Sequence, residues 1–350
     1  MKINREKFSS ILSSLMPGVS TRDISEGLSD FTFKGDRIYS FNDRISVNHL
    51  LPENDIDCSV NGMKIYSIIQ SMKGEEIEIS LKNSTLSLKN IDKEKAKASL
   101  KTSEINMADK IPVIPLTEKG WKQLPVDFIE GVHLCCFSVS KDLTRPHLTC
   151  ISVNPESVVS SDNIRISQFL LSSKIETEGF LLPGLAAKTL TRYGVIEFFE
   201  DKNDWVHFKT ESECIFSARK VAGQFPDVDS FFDVNGIRVT IPEELKILSK
   251  EVSIMAEEEF EIDRFITISF LKKEKRILCS GKGDSGFFEK SIEYEGRIQR
   301  DFSFIVNPFF LADVLKKETT MTLKEDLSRA LFERSSFRHI MALPVQRIAE

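Results

Sequence analysis

Asn307-Pro308-Phe309-Phe310-Leu311-Ala312-Asp313-Val314-Leu315 reads as a helix opening at Asn-Pro, residues suited to a helix start. Two other stretches follow the same plan: Asn61-Gly62-Met63-Lys64-Ile65-Tyr66-Ser67-Ile68-Ile69, and Leu182-Pro183-Gly184-Leu185-Ala186-Ala187-Lys188-Thr189-Leu190. They recur about every 120 residues, a period that marks a repeat architecture. A short β-like run feeds each one. Another helix-like segment and further strands precede it, and more strands follow. The pattern predicts an α+β fold of three repeated domains, each with two helices packed on antiparallel sheets. The expected boundaries are 1–117, 118–236 and 237–350. Three copies of one unit build a quasi-symmetric scaffold, not a single catalytic cleft.

The opening helix of each copy carries an apolar face. In Arg5–Met16, Phe8, Ile11, Leu12 and Leu15 share one face at the helical spacing, while Ser9, Ser10, Ser13 and Ser14 line another. Pro125–Phe137 places Phe128, Ile129, Val132 and Cys136 together. The third helix begins near Ile241-Pro242, with Glu243-Glu244 favoured in the first turn by the helix dipole. Leu245, Leu248, Val252 and Met255 are its inward residues. Turn residues separate the strand-like runs. Lys34-Gly35-Asp36 joins Phe31–Phe33 to Arg37–Phe41, and Asn83 joins Glu76–Leu81 to Ser84–Lys89. Pro112-Val113-Ile114-Pro115-Leu116 reads as an extended linker.

Composition narrows the class. At 350 residues and 41% apolar content, the chain can build a large core and two or three domains. No apolar run approaches the length of a membrane span, and Met1–Glu6 lacks the apolar core of a signal peptide. The six cysteines, Cys58, Cys135, Cys136, Cys150, Cys214 and Cys279, include no C-x-x-C pair. Neither a zinc site nor a thioredoxin-like motif is therefore expected, and no cofactor is implied. A reduced, cytoplasmic protein is the simplest reading. The net charge of −6 argues against coating nucleic acid by bulk charge, but permits a local basic face. Charges are grouped: Lys93, Lys95, Lys97 and Lys101 form a basic run, and Glu257-Glu258-Glu259 with Glu261 an acidic block. Opposite runs at the two ends of a chain permit head-to-tail association.

Gly283-Asp284-Ser285-Gly286 has the look of a serine-hydrolase nucleophile loop. A triad also needs a histidine and a carboxylate, and His49, His133, His147, His207 and His339 stand in no catalytic context. A Gly-rich hairpin turn between strands is the expected role. The vicinal Cys135-Cys136 lies on a helix and reads as structural. The ending, Ile340 to Ile348, is an apolar strand broken by Pro344. It closes a sheet, or forms one wall of a groove for an extended apolar peptide.

Four motifs point further. Cys214-Ile215-Phe216-Ser217-Ala218-Arg219-Lys220-Val221-Ala222-Gly223-Gln224-Phe225-Pro226-Asp227 is a strand followed by a Gly-x-Phe-Pro-Asp turn. Ser161-Asp162-Asn163-Ile164-Arg165-Ile166 is similar to Thr-Asp-Gly-His-Arg-Leu. Val306 to Leu315 is similar to Asn-x-x-Tyr-Leu-x-Asp-Val-Leu, and Leu343-Pro344-Val345-Gln346-Arg347-Ile348 loosely to a terminal Met-Pro-Met-Arg-Leu. In this order, on a threefold repeat, they make the whole chain resemble the bacterial replicative sliding clamp, the β subunit of DNA polymerase III. Asn163 and Ile164 stand where that family usually has Gly and His, and Gln346 displaces its penultimate Arg. Such departures suit a divergent or phage-type member.

The resemblance implies DNA-clamp domains that close into a ring-shaped homodimer around duplex DNA. Such a ring is non-catalytic and slides, because phosphate contacts carry no sequence information. It tethers the replicative polymerase, the clamp loader and other clamp-binding proteins through short apolar peptides, raising their effective concentration. By matching motif positions, the peptide groove would use Leu148, Ser161, Asn163, Ile164, Arg165, Ile166, Pro226, Phe231, Met341, Leu343, Pro344 and Val345. Contacts to DNA would come from Arg22, Lys64, Lys73, Lys141, Lys188, Arg192, Lys316 and Lys317. Ring closure would involve Lys95, Lys97, Leu100, Ile254, Met255, Glu293 and Glu295. Two readings from other classes stay open. One is a clamp-fold protein that binds partner peptides without encircling DNA. The other is a hydrolase using Ser285.

Overall fold

A computed structural model of the chain describes residues 1–20, 27–91, 96–103, 120–256, 258 and 260–344. Arg22, Lys95, Val345, Glu257, Glu259 and the 112–116 linker lie outside the described residues. Six α-helices occur among the described residues: α1 Arg5–Leu15, α2 Gly62–Ser71, α3 Phe128–Cys135, α4 Gly184–Leu190, α5 Leu245–Val252 and α6 Pro308–Val314. Their starts follow from the sequence. The carboxamide oxygen of Asn61 accepts from the Lys64 N–H at 3.0 Å, and that of Asn307 accepts from Phe309 and Phe310 at 2.9 and 3.1 Å. Each Asn thereby satisfies N–H groups that the first helical turn leaves orphaned. α3 is shorter than its apolar pattern suggested. Pro125 to Asp127 instead form a turn in which the Phe128 N–H donates to the Pro125 carbonyl.

The repeat recurs in detail. α1, α3 and α5 each pass into a 3-10 turn, at Met16–Gly18, Cys136–Ser138 and Ser253–Met255. The Ser40 hydroxyl donates to the last carbonyl of α1, Leu15, at 2.6 Å. Ser160 does the same to Cys135 at the end of α3, at 2.5 Å. In the third copy the strand carries Gly281, and a Cβ there would lie 1.9 Å from the Val252 carbonyl oxygen at the end of α5. Two copies join helix to strand by a hydroxyl, and the third by backbone contact that only glycine allows.

The chain divides into two compact units, Met1–Ile129 with Ser173–Ala222, and Glu130–Ser172 with Gly223–Glu350. Strand pairing explains why this division cuts across the repeat. Ile45–Leu50 pairs antiparallel with Ile215–Arg219, which draws part of the central copy into the first unit. Arg165–Leu170 pairs with Phe337–Ala342, which draws the rest into the second. In the first unit one sheet runs in the order Cys58–Asn61, Asp30–Lys34, Arg37–Phe41, Ile45–Leu50, Ile215–Arg219, Trp205–Thr210, Val195–Glu200, Lys122–Gln123. The other runs Lys2–Asn4, Glu76–Lys82, Thr85–Asn90, Lys97–Lys101.

In the second unit Cys150–Val153, Ser157–Ser161, Arg165–Leu170, Phe337–Ala342, Arg329–Arg334, Thr320–Lys324 and Gly236–Thr240 lie side by side. Gly286–Glu293, Arg276–Gly283, Ile266–Leu271 and Phe302–Val306 form its smaller sheet. Apolar faces of α5 and α6, including Leu245, Val252, Leu311 and Val314, share a core with Phe270, Phe304, Met321 and Phe332. Gly283 stands opposite Gly286, so Asp284-Ser285 is the two-residue loop of a hairpin, as its sequence suggested. Asn83 and Ser84, with φ of 44° and 56°, turn the hairpin between Glu76–Lys82 and Thr85–Asn90. No helix of the described residues is long and apolar enough to cross a membrane.

Candidate peptide groove and charged faces

In the second unit the turn between Ser157–Ser161 and Arg165–Leu170 is built by Asp162. Its Oδ1 accepts from the Ile164 and Arg165 N–H groups at 3.1 and 3.0 Å, and Asn163 between them adopts φ 77°. Asn tolerates that left-handed backbone, which accounts for Asn standing where the resembled motif has Gly. The turn projects Ile164 into a cavity of about 520 Å³, within the range of small-ligand sites. Ile166, Leu148, Pro226, Val228, Phe231, Ile340 and Ala342 supply the rest of its apolar lining, and Ser161 and Asn163 border it. Arg145, His147, Asp227 and Arg329 also line it, and the Arg329 guanidinium sits 5.1 Å from the Phe231 ring centre. An apolar trough with two arginines and one aspartate among its polar groups suits an extended apolar peptide with a few polar anchors.

Strand alternation sorts the expected groove residues. Ile166 faces Ile340 across the ladder, and both line the cavity. Arg165 faces Met341 one step along, so both point to the opposite side of the sheet. Met341 and Leu343 are buried in the core of the second unit, and Pro344 is half-buried outside the cavity lining. Arg165 is buried as well. It pairs with Asp162 at 2.9 Å and Asp313 at 3.5 Å, donates to the Phe137 carbonyl, and lies 4.1 Å from the Phe310 ring centre. Its guanidinium thus ties the groove's turn to α6. Arg145, His147, Val228, Arg329, Ile340 and Ala342 are lining residues the sequence reading missed. Ile340-Met341 is apolar on both faces, so its pattern could not say which residue faces out.

The residues expected at DNA are spread over both units. Lys64, Lys73, Lys188 and Arg192 are exposed in the first. Arg192 lines a cavity of about 1020 Å³ with Ser10, Ser13 and Ser14 from the serine face of α1, joined by Arg44, Tyr66 and Tyr193. In the second unit Lys141 is exposed, Lys316 pairs with Asp313 at 3.0 Å, and the Lys317 ammonium lies 2.9 Å from His133 Nε2. Burial and this neighbouring charge hold the His133 pKa below its ordinary value, so His133 accepts the bond as a neutral ring.

The residues expected at ring closure lie on two sheet margins. Lys97 and Leu100 belong to Lys97–Lys101, the edge strand of the smaller sheet of the first unit. Gly286–Glu293 is the edge strand of the smaller sheet of the second, with Glu293 and Glu295 exposed at its end. Phe287 in this strand and Ile254 near it are 70% and 72% exposed, and Met255 is half-buried. Among the described residues, no strand pairs with the outer side of either edge, which leaves backbone N–H and C=O groups there for another strand.

The sequence matches no protein-family model and no curated protein. The fold does match solved structures. The beta subunit of DNA polymerase from Streptococcus pyogenes aligns at a TM-score of 0.83, over 98% of this chain and 99% of that one, with 16% identity. A DnaN sliding clamp from Pseudomonas aeruginosa bound to griselimycin aligns at 0.81 over 98% of each chain, with 16% identity. The DNA polymerase sliding clamp from Bacillus subtilis aligns at 0.79 over 98% of each, with 17% identity. The chain therefore has the fold of the DNA polymerase III beta subunit along its length: α+β, with few helices packed on antiparallel sheets in repeated units.

Proposed function

We propose that this chain is a DNA sliding clamp, a non-catalytic processivity factor that encircles duplex DNA and tethers a replicative polymerase and other clamp-binding proteins. The observation that carries the reading is the groove. Within the sliding-clamp fold, seven of the twelve positions that the resemblance points to, Leu148, Ser161, Asn163, Ile164, Ile166, Pro226 and Phe231, line one apolar cavity. Three domains, 1–117, 118–236 and 237–350, then form half of a homodimeric ring in the cytoplasm. Lys97–Lys101 of one copy pairs with Gly286–Glu293 of the next, and Lys97 meets Glu293 or Glu295. Ile254 and Phe287 are covered in that contact. Lys64, Lys188, Arg192 and Lys316 touch phosphates transiently, which suits sliding because no base is read.

Retention on nicked circular DNA after loading, with linearised DNA as the control, tests the ring. Retention on circles with loss from linear ends is the expected result. Equal, salt-sensitive binding to both forms would replace encirclement by ordinary electrostatic binding. Peptide binding in the groove without any retention would favour the peptide-binding reading that involves no DNA.

A further inference from the structure

A second cleft in the second unit, of about 1420 Å³, lies apart from the apolar groove. One wall is the strand Gly236–Thr240, which ends its sheet. Ile241 donates its N–H to the Thr319 carbonyl at 2.8 Å, so residues in phase with it, Val239 and Ile237, direct their backbone bonds toward Thr320–Lys324. Gly236, Arg238 and Thr240 then direct theirs outward. The Thr240 carbonyl takes the Tyr294 hydroxyl at 3.1 Å, while Gly236 and Arg238 face the cleft with no strand beyond them among the described residues. Around this open edge stand Arg238, Lys275, Arg276, Arg297 and Arg300, all exposed. Among the described residues none of these five side chains has a hydrogen-bond or ion-pair partner.

We propose that this cleft binds an extended, net-acidic peptide segment of another protein, which adds as a strand to the free edge at Gly236 and Arg238 and pairs its carboxylates with Arg238, Arg297 and Arg300. The open backbone edge selects a peptide, because only another strand can return both N–H and C=O bonds. The free guanidinium groups select carboxylates, which they bind through charge-assisted, bidentate contacts. Glu274, Glu293, Glu295 and Glu325 also line the cleft, so its walls carry both signs, which a peptide with spaced carboxylates can match and a continuous phosphate backbone cannot. A strand of five residues spans about 17 Å, a length suited to a cleft of this size. Glu293 and Glu295, which the sliding-clamp reading puts at the contact between copies, form one rim of this cleft, while the edge at Gly236 and Arg238 takes no part in that contact.

A fluorescein-labelled peptide of alternating Glu and Val, eight residues long, tests the proposal by anisotropy with the full chain. Saturable binding is expected, weakened at least tenfold by the double variant Arg297→Glu, Arg300→Glu and by N-methylation of alternate peptide amides. Arg238→Pro, which removes a cation and an outward N–H but no ladder bond, should weaken it more than Arg238→Ala. The variant Ile164→Arg, in the apolar groove, should leave this binding intact. Absence of saturable binding, equal competition by a ten-residue deoxythymidine oligonucleotide, or loss of binding only in Ile164→Arg would each overturn it. So would a change of oligomeric state in the Arg297, Arg300 variant, which would make a second copy of this chain the occupant.

Discussion

Two hairpin turns of this molecule share a backbone and differ in chemistry. In the first unit Asn42 Oδ1 accepts from the Arg44 and Ile45 N–H groups at 3.2 and 2.9 Å, around Asp43 at φ 67°. In the second unit Asp162 Oδ1 accepts from Ile164 and Arg165, around Asn163 at φ 77°. The residue after the left-handed position is Arg44 in one and Ile164 in the other. Arg44 borders a mixed cavity in which Ser10, Ser13, Ser14, Tyr66 and Arg192 stand beside apolar residues such as Val19 and Leu185, and Ile164 borders an apolar groove. A repeated scaffold therefore fixes where a side chain stands, while the side chain itself decides what that place can bind.

The residue that follows also differs, and it sets the largest expected effect. Ile45 is a buried apolar residue at the border of the first cavity, whereas Arg165 is held by two carboxylates, a carbonyl and aromatic rings. Arg165→Ala should destabilise the protein by about 3–5 kcal/mol, because Asp162 would be left largely buried without its cation. Urea unfolding measures it, and a loss under about 1 kcal/mol would mean the pair is not a structural anchor. Next comes the residue that separates the two cavities. Ile164→Arg should lower affinity for an apolar clamp-binding peptide by about 10–100-fold, the usual range for losing a central apolar contact. The reciprocal Arg44→Ile should leave peptide affinity unchanged, and isothermal titration separates the two.

The helix ends offer a smaller test of the repeat. Ser40→Ala and Ser160→Ala should each cost ~1 kcal/mol, the net worth of a buried hydrogen bond. Gly281→Ser should cost more than either, since its Cβ would press on the Val252 carbonyl and force the strand aside. Equal stability of Gly281→Ser and the parent protein would break the equivalence of the three joints.

The finest comparison is between two buried histidines. His339 Nδ1 lies 2.8 Å from the Ser167 hydroxyl, and burial, helped by Arg165, holds its pKa well below the ordinary value. His207 Nδ1 meets Ser217 at 2.8 Å and is lowered by burial too, but the Asp201 carboxylate 3.6 Å from its Nε2 opposes the shift. Both rings are neutral in the folded state. Stability is therefore full above the unfolded pKa of about 6.5 and declines as pH falls below it, because the unfolded chain takes up protons first. Removing the titration by His339→Gln should flatten the slope of stability against pH more than His207→Gln does. Equal slopes in the two variants would show that Asp201 gives no relief.

Local signals were legible in the sequence because they are short-range. Asn61 and Asn307 announced their helices through caps, Asn83 its turn, and Gly283-Asp284-Ser285-Gly286 a hairpin, since each acts within a few residues of chain. The threefold recurrence, and motifs such as Ser161 to Ile166 with the Phe-Pro-Asp turn, named seven residues that line the apolar cavity, half of its lining. They did so because the residues of a turn are fixed by its own backbone.

Tertiary structure decided the rest. Only the pairing of Arg165 with Met341, and of Ile166 with Ile340, turns Met341 into the core and Ile340 to the groove, because a strand buried on both faces carries no alternation to read. Likewise, pairing between residues far apart in the chain assigns the strands of the central copy to two different units. The open edge at Gly236 and Arg238 belongs here too. A strand's sequence names its residues, but only the assembled sheet shows which strand has no neighbour.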